Sequence, residues 1–136
     1  MEETKRKAVV VGAGGLGREV ASVLGTYFSD HCEFIGFIDD GKDVNEKVNG
    51  FPVLGGKDWF TQEVGEVDIF MGIAIPAVRE KLVAFIETHI PNANFPNLIH
   101  PHANFHNPST ISMGRGNIIC DGVSMTTNIS LGDFNL

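Results

Sequence analysis

The chain has 136 residues, 43% of them hydrophobic and 20% charged, with a formal net charge of −7. That composition fits one globular domain with at most an appendage, and the acidic balance excludes a nucleic-acid binder, which needs a basic stripe against phosphates. Cys32 and Cys120 share no metal-ligand spacing, and no apolar run approaches the ~18 residues of a membrane span. The expectation is therefore a reduced, cytoplasmic protein without disulfide framework, signal peptide or membrane partner.

Residues 8–12, a continuous apolar run, read as a parallel strand covered on both faces. Val20, Val23, Leu24 and Phe28 then recur at helical spacing over about 16–28. Residues 33–38 give a second strand that ends at the turn signal Asp39-Asp40-Gly41. A short edge strand is expected within 50–55 and a helical turn over 57–62. Residues 67–74 read as a third buried strand, and Pro76 opens a helix that runs to about His89. Residues 95–99 supply a last strand. This alternation implies an α/β fold: a small Rossmann-like parallel sheet over 1–98 with helices on both faces.

From 99 the pattern changes. Apolar or equivalent positions recur every six residues at Ile99, Phe105, Ile111, Asn117, Val123 and Ile129, with a second register at Met113, Ile119, Met125 and Leu131. A period of six fits neither a helix nor a half-buried strand. It fits a left-handed parallel β-helix built from hexapeptides, of which 99–136 would form the first two coils. Such stacks need about three repeats, so the reading at this level is of a β-helix cut short.

Gly12-Ala13-Gly14-Gly15-Leu16-Gly17 matches G-x-G-x-x-G between a strand and a helix, the context in which that motif cradles a phosphate. Its glycines let the backbone turn and approach a ligand, while free N–H groups at the helix start face an anion. Asp39 and Asp40 end the next strand at the same sheet edge, where their carboxylates suit ribose hydroxyls or a base N–H. The residues alone leave two alternatives open: a nucleotide site, or glycines that merely permit close packing. Roughly 100 residues before the repeats are too few for a full dinucleotide sheet with a catalytic domain.

The series Val11-Gly12-Ala13-Gly14-Gly15-Leu16-Gly17-Arg18-Glu19-Val20, Phe37-Ile38-Asp39-Asp40, Gly72-Ile73-Ala74-Ile75-Pro76 with Arg79 and Lys81, and Asn97-Leu98-Ile99-His100-Pro101 resembles a family of sugar acyltransferases. These include the sialic-acid O-acetyltransferase type and the bacterial UDP-4-amino-sugar N-acetyltransferases. The resemblance implies a UDP-linked amino sugar in the α/β domain, a homotrimeric β-helix, and acetyl-coenzyme A between neighbouring β-helices. It assigns Gly12, Gly14, Gly15, Leu16 and Gly17 to the phosphate and sugar end, Asp39 and Asp40 to the uridine, and Ile73, Ala74 and Ile75 to the same pocket. Pro76 stands where the family often has asparagine, so a sugar contact from that position is lost. The family's general-base histidine follows a segment like Ile129–Phe134. The resemblance therefore places the base beyond Leu136 and implies that these residues alone are inactive.

No metal is expected: His100, His102 and His106, at i, i+2 and i+6, do not converge on a β-helix entry. His31, His89, Cys120 and the hydroxyls of Ser124, Thr126 and Thr127 carry no catalytic signal. Two rival readings remain, a nicotinamide-dependent oxidoreductase fragment using Asp39 or Asp40, and a non-catalytic nucleotide-binding or oligomerisation module. The first leaves the six-residue period unexplained.

Overall fold

The structure, a computed structural model, describes residues 5–136 and divides into two compact units between Asn94 and Phe95. The first holds β1 (Arg6–Val11), α1 (Gly15–Tyr27), β2 (Cys32–Ile38), β3 (Lys47–Val48), β4 (Phe51–Gly55), a 3₁₀ turn (Lys57–Thr61), β5 (Asp68–Met71) and α2 (Pro76–His89). Its sheet runs in the order β3-β4-β2-β1-β5. All pairings are parallel except the hairpin β3–β4.

The apolar run of β1 earns its central place: Ala8, Val9, Val10 and Val11 are all buried between β2 and β5. From α1, Val20, Ala21 and Leu24 reach the core, and from α2, Val83 and Ile86. At the N-terminal ends of the strands the buried Asp68 carboxylate accepts from Arg6 Nε at 2.9 Å and from the Asn94 side-chain amide. That hydrogen bond holds the Arg6 guanidinium above its ordinary pKa.

Two expectations need correction. The strand within 50–55 is not an edge, because β3 pairs outside it. Asn49 (φ +50°) and Gly50 (φ +85°) supply the two left-handed residues of a tight hairpin, the turn chemistry that makes β3 possible. Nor does 95–99 join the sheet. Only a single bridge, Asp68 with Asn94, lies beside β5. Pro96 offers no N–H to continue that ladder, and only β6 (Leu98–Ile99) forms, pairing elsewhere.

In the second unit β6 is followed by β7 (Asn104–Phe105), a 3₁₀ turn (Pro108–Thr110), β8 (Ser112–Met113), β9 (Ile118–Ile119), β10 (Ser124–Met125) and β11 (Ser130–Leu131). Each strand pairs in parallel with the third one after it: Leu98 with Ile118, Asn104 with Ser124, Ser112 with Ser130. The offset is 20 residues for the first two pairs and 18 for the third. Two extra residues between β7 and β8, where the 3₁₀ turn lies, account for the difference.

That insertion explains why the sequence showed two registers. Ile99, Phe105, Met113, Ile119, Met125 and Leu131 are one row, the second residue of every strand. Asn97, Ala103, Ile111, Asn117, Val123, Ile129 and Asn135 form another, two positions earlier, on the same face. Ile99 is 36% exposed although its ladder partner Ile119 is buried, since no earlier rung precedes Ile99 within the unit. Asn117 breaks the apolar pattern yet is fully buried, because it belongs to an asparagine ladder. Asn97 Oδ1 accepts from the Asn117 backbone N–H at 2.8 Å, and Asn117 Oδ1 from that of Asn135 at 2.8 Å. Asn117 Nδ2 in turn donates to the Gly132 carbonyl at 2.8 Å.

Candidate functional site

The C-terminal ends of β1, β2 and β5 meet in the first unit. The connection from β1 leads through α1 to β2, whereas β5 lies on the other side of β1. Such a reversal opens a crevice at the strand ends, the usual ligand position in an open α/β sheet.

Three glycines close the back of this region. A Cβ on Gly17 would stand 1.8 Å from the Gly12 carbonyl oxygen, and one on Gly72 would stand 2.6 Å from Gly17 Cα. Gly12 (φ +98°) turns the chain out of β1 and donates its N–H to the Ile38 carbonyl at 2.7 Å. By contrast, a Cβ on Gly14 or Gly15 would meet nothing within 4 Å. Gly14 caps α1 without a side-chain bond, and the first turn carries no acidic residue. The motif thus splits into a packed half, Gly12 and Gly17, and an open half at the positive end of α1.

Asp39 and Asp40 organise the rim. Asp39 Oδ2 accepts from the Ala13 N–H at 2.9 Å and Oδ1 from the Gly41 N–H at 2.8 Å, which ties the glycine loop to the turn after β2. Asp40 Oδ1 accepts from the Lys57 N–H at 2.9 Å. Gly56 leaves room for it, since a Cβ there would stand 2.1 Å from that oxygen. A carboxylate offers about four lone-pair sites, so both retain capacity for further donors. On the opposite side, Arg79 Nη1 donates to the Ile73 carbonyl at 2.8 Å and pins the segment after β5.

Between these walls lies a cleft of about 190 Å³. Of the residues singled out in the sequence, Gly12, Asp39, Asp40 and Ile73 line it. Gly14 and Gly15 are exposed outside the lining, Leu16 is half-buried, Gly17 is buried in packing, and Ala74 and Ile75 are exposed. The sequence missed Lys57, Phe60, Val78 and Leu82, which complete the wall. Lys57 follows the pair Gly55-Gly56 at the end of β4, a strand–glycine–cation signal available in the chain, and its Nζ lies 5.1 Å from the Phe85 ring centroid. Val78 is 42% exposed because it borders this opening. Among the described residues no histidine lines the cleft.

A family model described as the PglD N-terminal domain matches residues 7–86. The chain belongs to this family. The PglD N-terminal domain match spans the glycine loop, the acidic pair and most of α2, so it contains the whole cleft wall. No curated protein matches the chain. Among solved structures, the acetyltransferase domain of PglB from Neisseria gonorrhoeae FA1090, in complex with acetyl coenzyme A, is 29% identical. The alignment covers 96% of this chain and 60% of that one, with a TM-score of 0.75. A histidine-to-asparagine mutant of perosamine N-acetyltransferase from Caulobacter crescentus, in complex with CoA and GDP-perosamine, is 25% identical over 94% of this chain and 58% of that one, with a TM-score of 0.81. WeeI from Acinetobacter baumannii AYE is 27% identical over 96% and 59%, with a TM-score of 0.72. The chain spans about three fifths of the length of these structures. Among the described residues no helix is long and apolar enough to cross a membrane.

Proposed function

We propose that this chain supplies the sugar-nucleotide site of an acetyl-coenzyme A-dependent acetyltransferase that modifies an amine or hydroxyl of a nucleotide-activated sugar. The observation that carries the reading is the strand-end cleft itself. It joins an open helix N-terminus at Gly14-Gly15, two carboxylates at the rim and an apolar floor, in a PglD N-terminal domain.

The chemistry divides accordingly. The diphosphate lies over Gly14, Gly15 and Leu16, where unpaired first-turn N–H groups and the helix dipole favour an anion. Asp39 and Asp40 take donors from the ribose or base, and Lys57 adds a cation beside Asp40. Ile73, Val78 and Leu82 give the apolar surface on which a base or sugar ring rests. Gly17 holds α1 against β1 rather than touching the ligand, and Ala74 and Ile75 shape the mouth. With no histidine in the wall, the cleft binds and orients, and proton transfer is not assigned to it.

The second unit, in this reading, is the start of a left-handed parallel β-helix. Its strands pair three apart with a coil of 18 residues where no insertion intervenes, which is three hexapeptides. A trimer of the complete protein, with acetyl-coenzyme A as co-substrate, and a cytoplasmic location follow from the same family reading. The neighbours support an acetyltransferase over a nicotinamide oxidoreductase. A purely structural module would bind neither nucleotide nor coenzyme A.

Calorimetric titration with UDP, GDP and NAD tests the proposal. Saturable heat with UDP or GDP and none with NAD is the expected result; NAD binding would restore the oxidoreductase reading, and no binding of any nucleotide would remove the site.

A further inference from the structure

We infer that His100, His102 and Asp121 form a binding site for a divalent transition ion of the zinc–cobalt–nickel type. The site lies wholly in the second unit and is independent of the cleft. His100 and His102 follow β6, and Asp121 follows β9, the ladder partner of β6, so two stacked turns bring the three together. His100 Nδ1 and His102 Nδ1 lie 3.8 and 3.7 Å from Asp121 Oδ1. The sequence set aside His100, His102 and His106 as not converging; the ladder instead brings Asp121 to the first two.

One donor atom from each residue lies within 4.8 Å of the other two. Tetrahedral zinc with ligand bonds of about 2.0–2.2 Å needs donors about 3.4 Å apart. Closing 4.8 Å to that spacing takes at most about 1.4 Å. The movement falls on His102 and Asp121, whose side chains are 62% and 69% exposed and sit on turns. His100 is the fixed member. It is buried, and the His102 N–H at 3.0 Å from its Nδ1 fixes the orientation of the ring; a bound ion takes the place of that N–H on the Nδ1 lone pair. Two imidazoles and one carboxylate suit borderline ions, whereas magnesium and calcium require oxygen donors and copper(I) prefers thiolate. The exposed side leaves a coordination position for water. Bound metal would cross-link the turns at 100–103 and 120–123.

The test is titration of the chain with Co²⁺, read by its visible absorption, with Zn²⁺ as competitor. One saturable equivalent is expected, displaced by zinc and without a cobalt–thiolate charge-transfer band. His102→Ala and Asp121→Asn should each weaken binding roughly 10- to 100-fold, while His106→Ala leaves it unchanged. His100 is left intact because its loss would disturb a buried turn. Absence of saturable binding, or wild-type affinity in both variants, would overturn the inference. So would a thiolate band abolished by Cys120→Ser, since that assigns the ion to the exposed neighbour of Asp121.

Discussion

Glycine 17 sets the sharpest test of the packing beneath the cleft. Its Cβ position lies 1.8 Å from the Gly12 carbonyl oxygen, against 3.4 Å for ordinary contact, so an alanine there must drive α1 and β1 apart by about 1.6 Å. Both obstacles are backbone, and no side-chain rotation relieves them. Overpacking of this kind costs about 1–3 kcal/mol, occasionally more, and lifting α1 also uncovers Val20 and Leu24. Against this, alanine in place of glycine within a helix gains only about 0.5–1 kcal/mol. That arithmetic leaves a net loss of up to about 2.5 kcal/mol, and Gly17→Ala should fall toward that upper end because both obstacles are backbone. Gly25→Ala is the internal control: it lies in the same helix with nothing within 4 Å of a Cβ, and should gain about 0.5–1 kcal/mol. Urea unfolding followed by the fluorescence of Trp59, the single tryptophan, reads the first unit alone. Equal stability of Gly17→Ala and wild type would refute the close backbone contact on which the account of the glycine loop depends.

Other outcomes follow from the same contacts. Asn117→Leu strands the Asn135 N–H, at about 1–3 kcal/mol, and leaves the Gly132 carbonyl with the Gly114 N–H as its donor. Hydrogen exchange at 130–136 should accelerate, and unchanged protection would show that the ladder contributes little. Asp39→Asn leaves one side-chain oxygen for two amide donors and should weaken nucleotide binding by about tenfold, the factor for one lost hydrogen bond of ~1.4 kcal/mol; wild-type affinity by titration would count against a positioning role. Burial pushes the Cys32 thiol pKa up, with the Asp68 carboxylate adding to the effect, whereas Cys120 is exposed. A thiol reagent at mildly alkaline pH should thus modify Cys120 well before Cys32, and the reverse order by mass spectrometry would contradict the burial. Because the folded-state value is raised, the folded chain favours the protonated thiol. That contribution is complete below the unfolded value of about 8.5 and is lost as pH rises through the folded one. Cys32→Ser should flatten this alkaline decline in an unfolding series.

Much of the first unit was legible because its signals are local. The apolar run of β1 and the proline at the first turn of α2 each act within a few residues, and the structure places both elements where the pattern did. What escaped was decided across the chain. The β3–β4 hairpin rests on Asn49-Gly50, a turn signal in plain view whose two-residue strand is too short for periodicity to register. Lys57 reaches the cleft only because Asp40, 17 residues earlier, fastens its N–H. The glycine motif was readable as a motif but not in its division of labour, since the role of Gly17 depends on Gly72, brought alongside by β5. In the second unit the period of six was visible, while the two-residue slip that splits it into two registers showed only once strands were paired. Asn117 and Asp121 illustrate the limit: each gains its meaning from a residue one coil away.

The most direct test of the central claim is to map a nucleotide-linked amino sugar onto the chain by amide chemical shifts. The account predicts that UDP- or GDP-sugar perturbs Gly14, Gly15, Leu16, Asp40 and Lys57 and leaves the second unit unmoved. Perturbations confined to the groove between Arg18, Thr26 and Phe51, or none at saturating ligand, would contradict it.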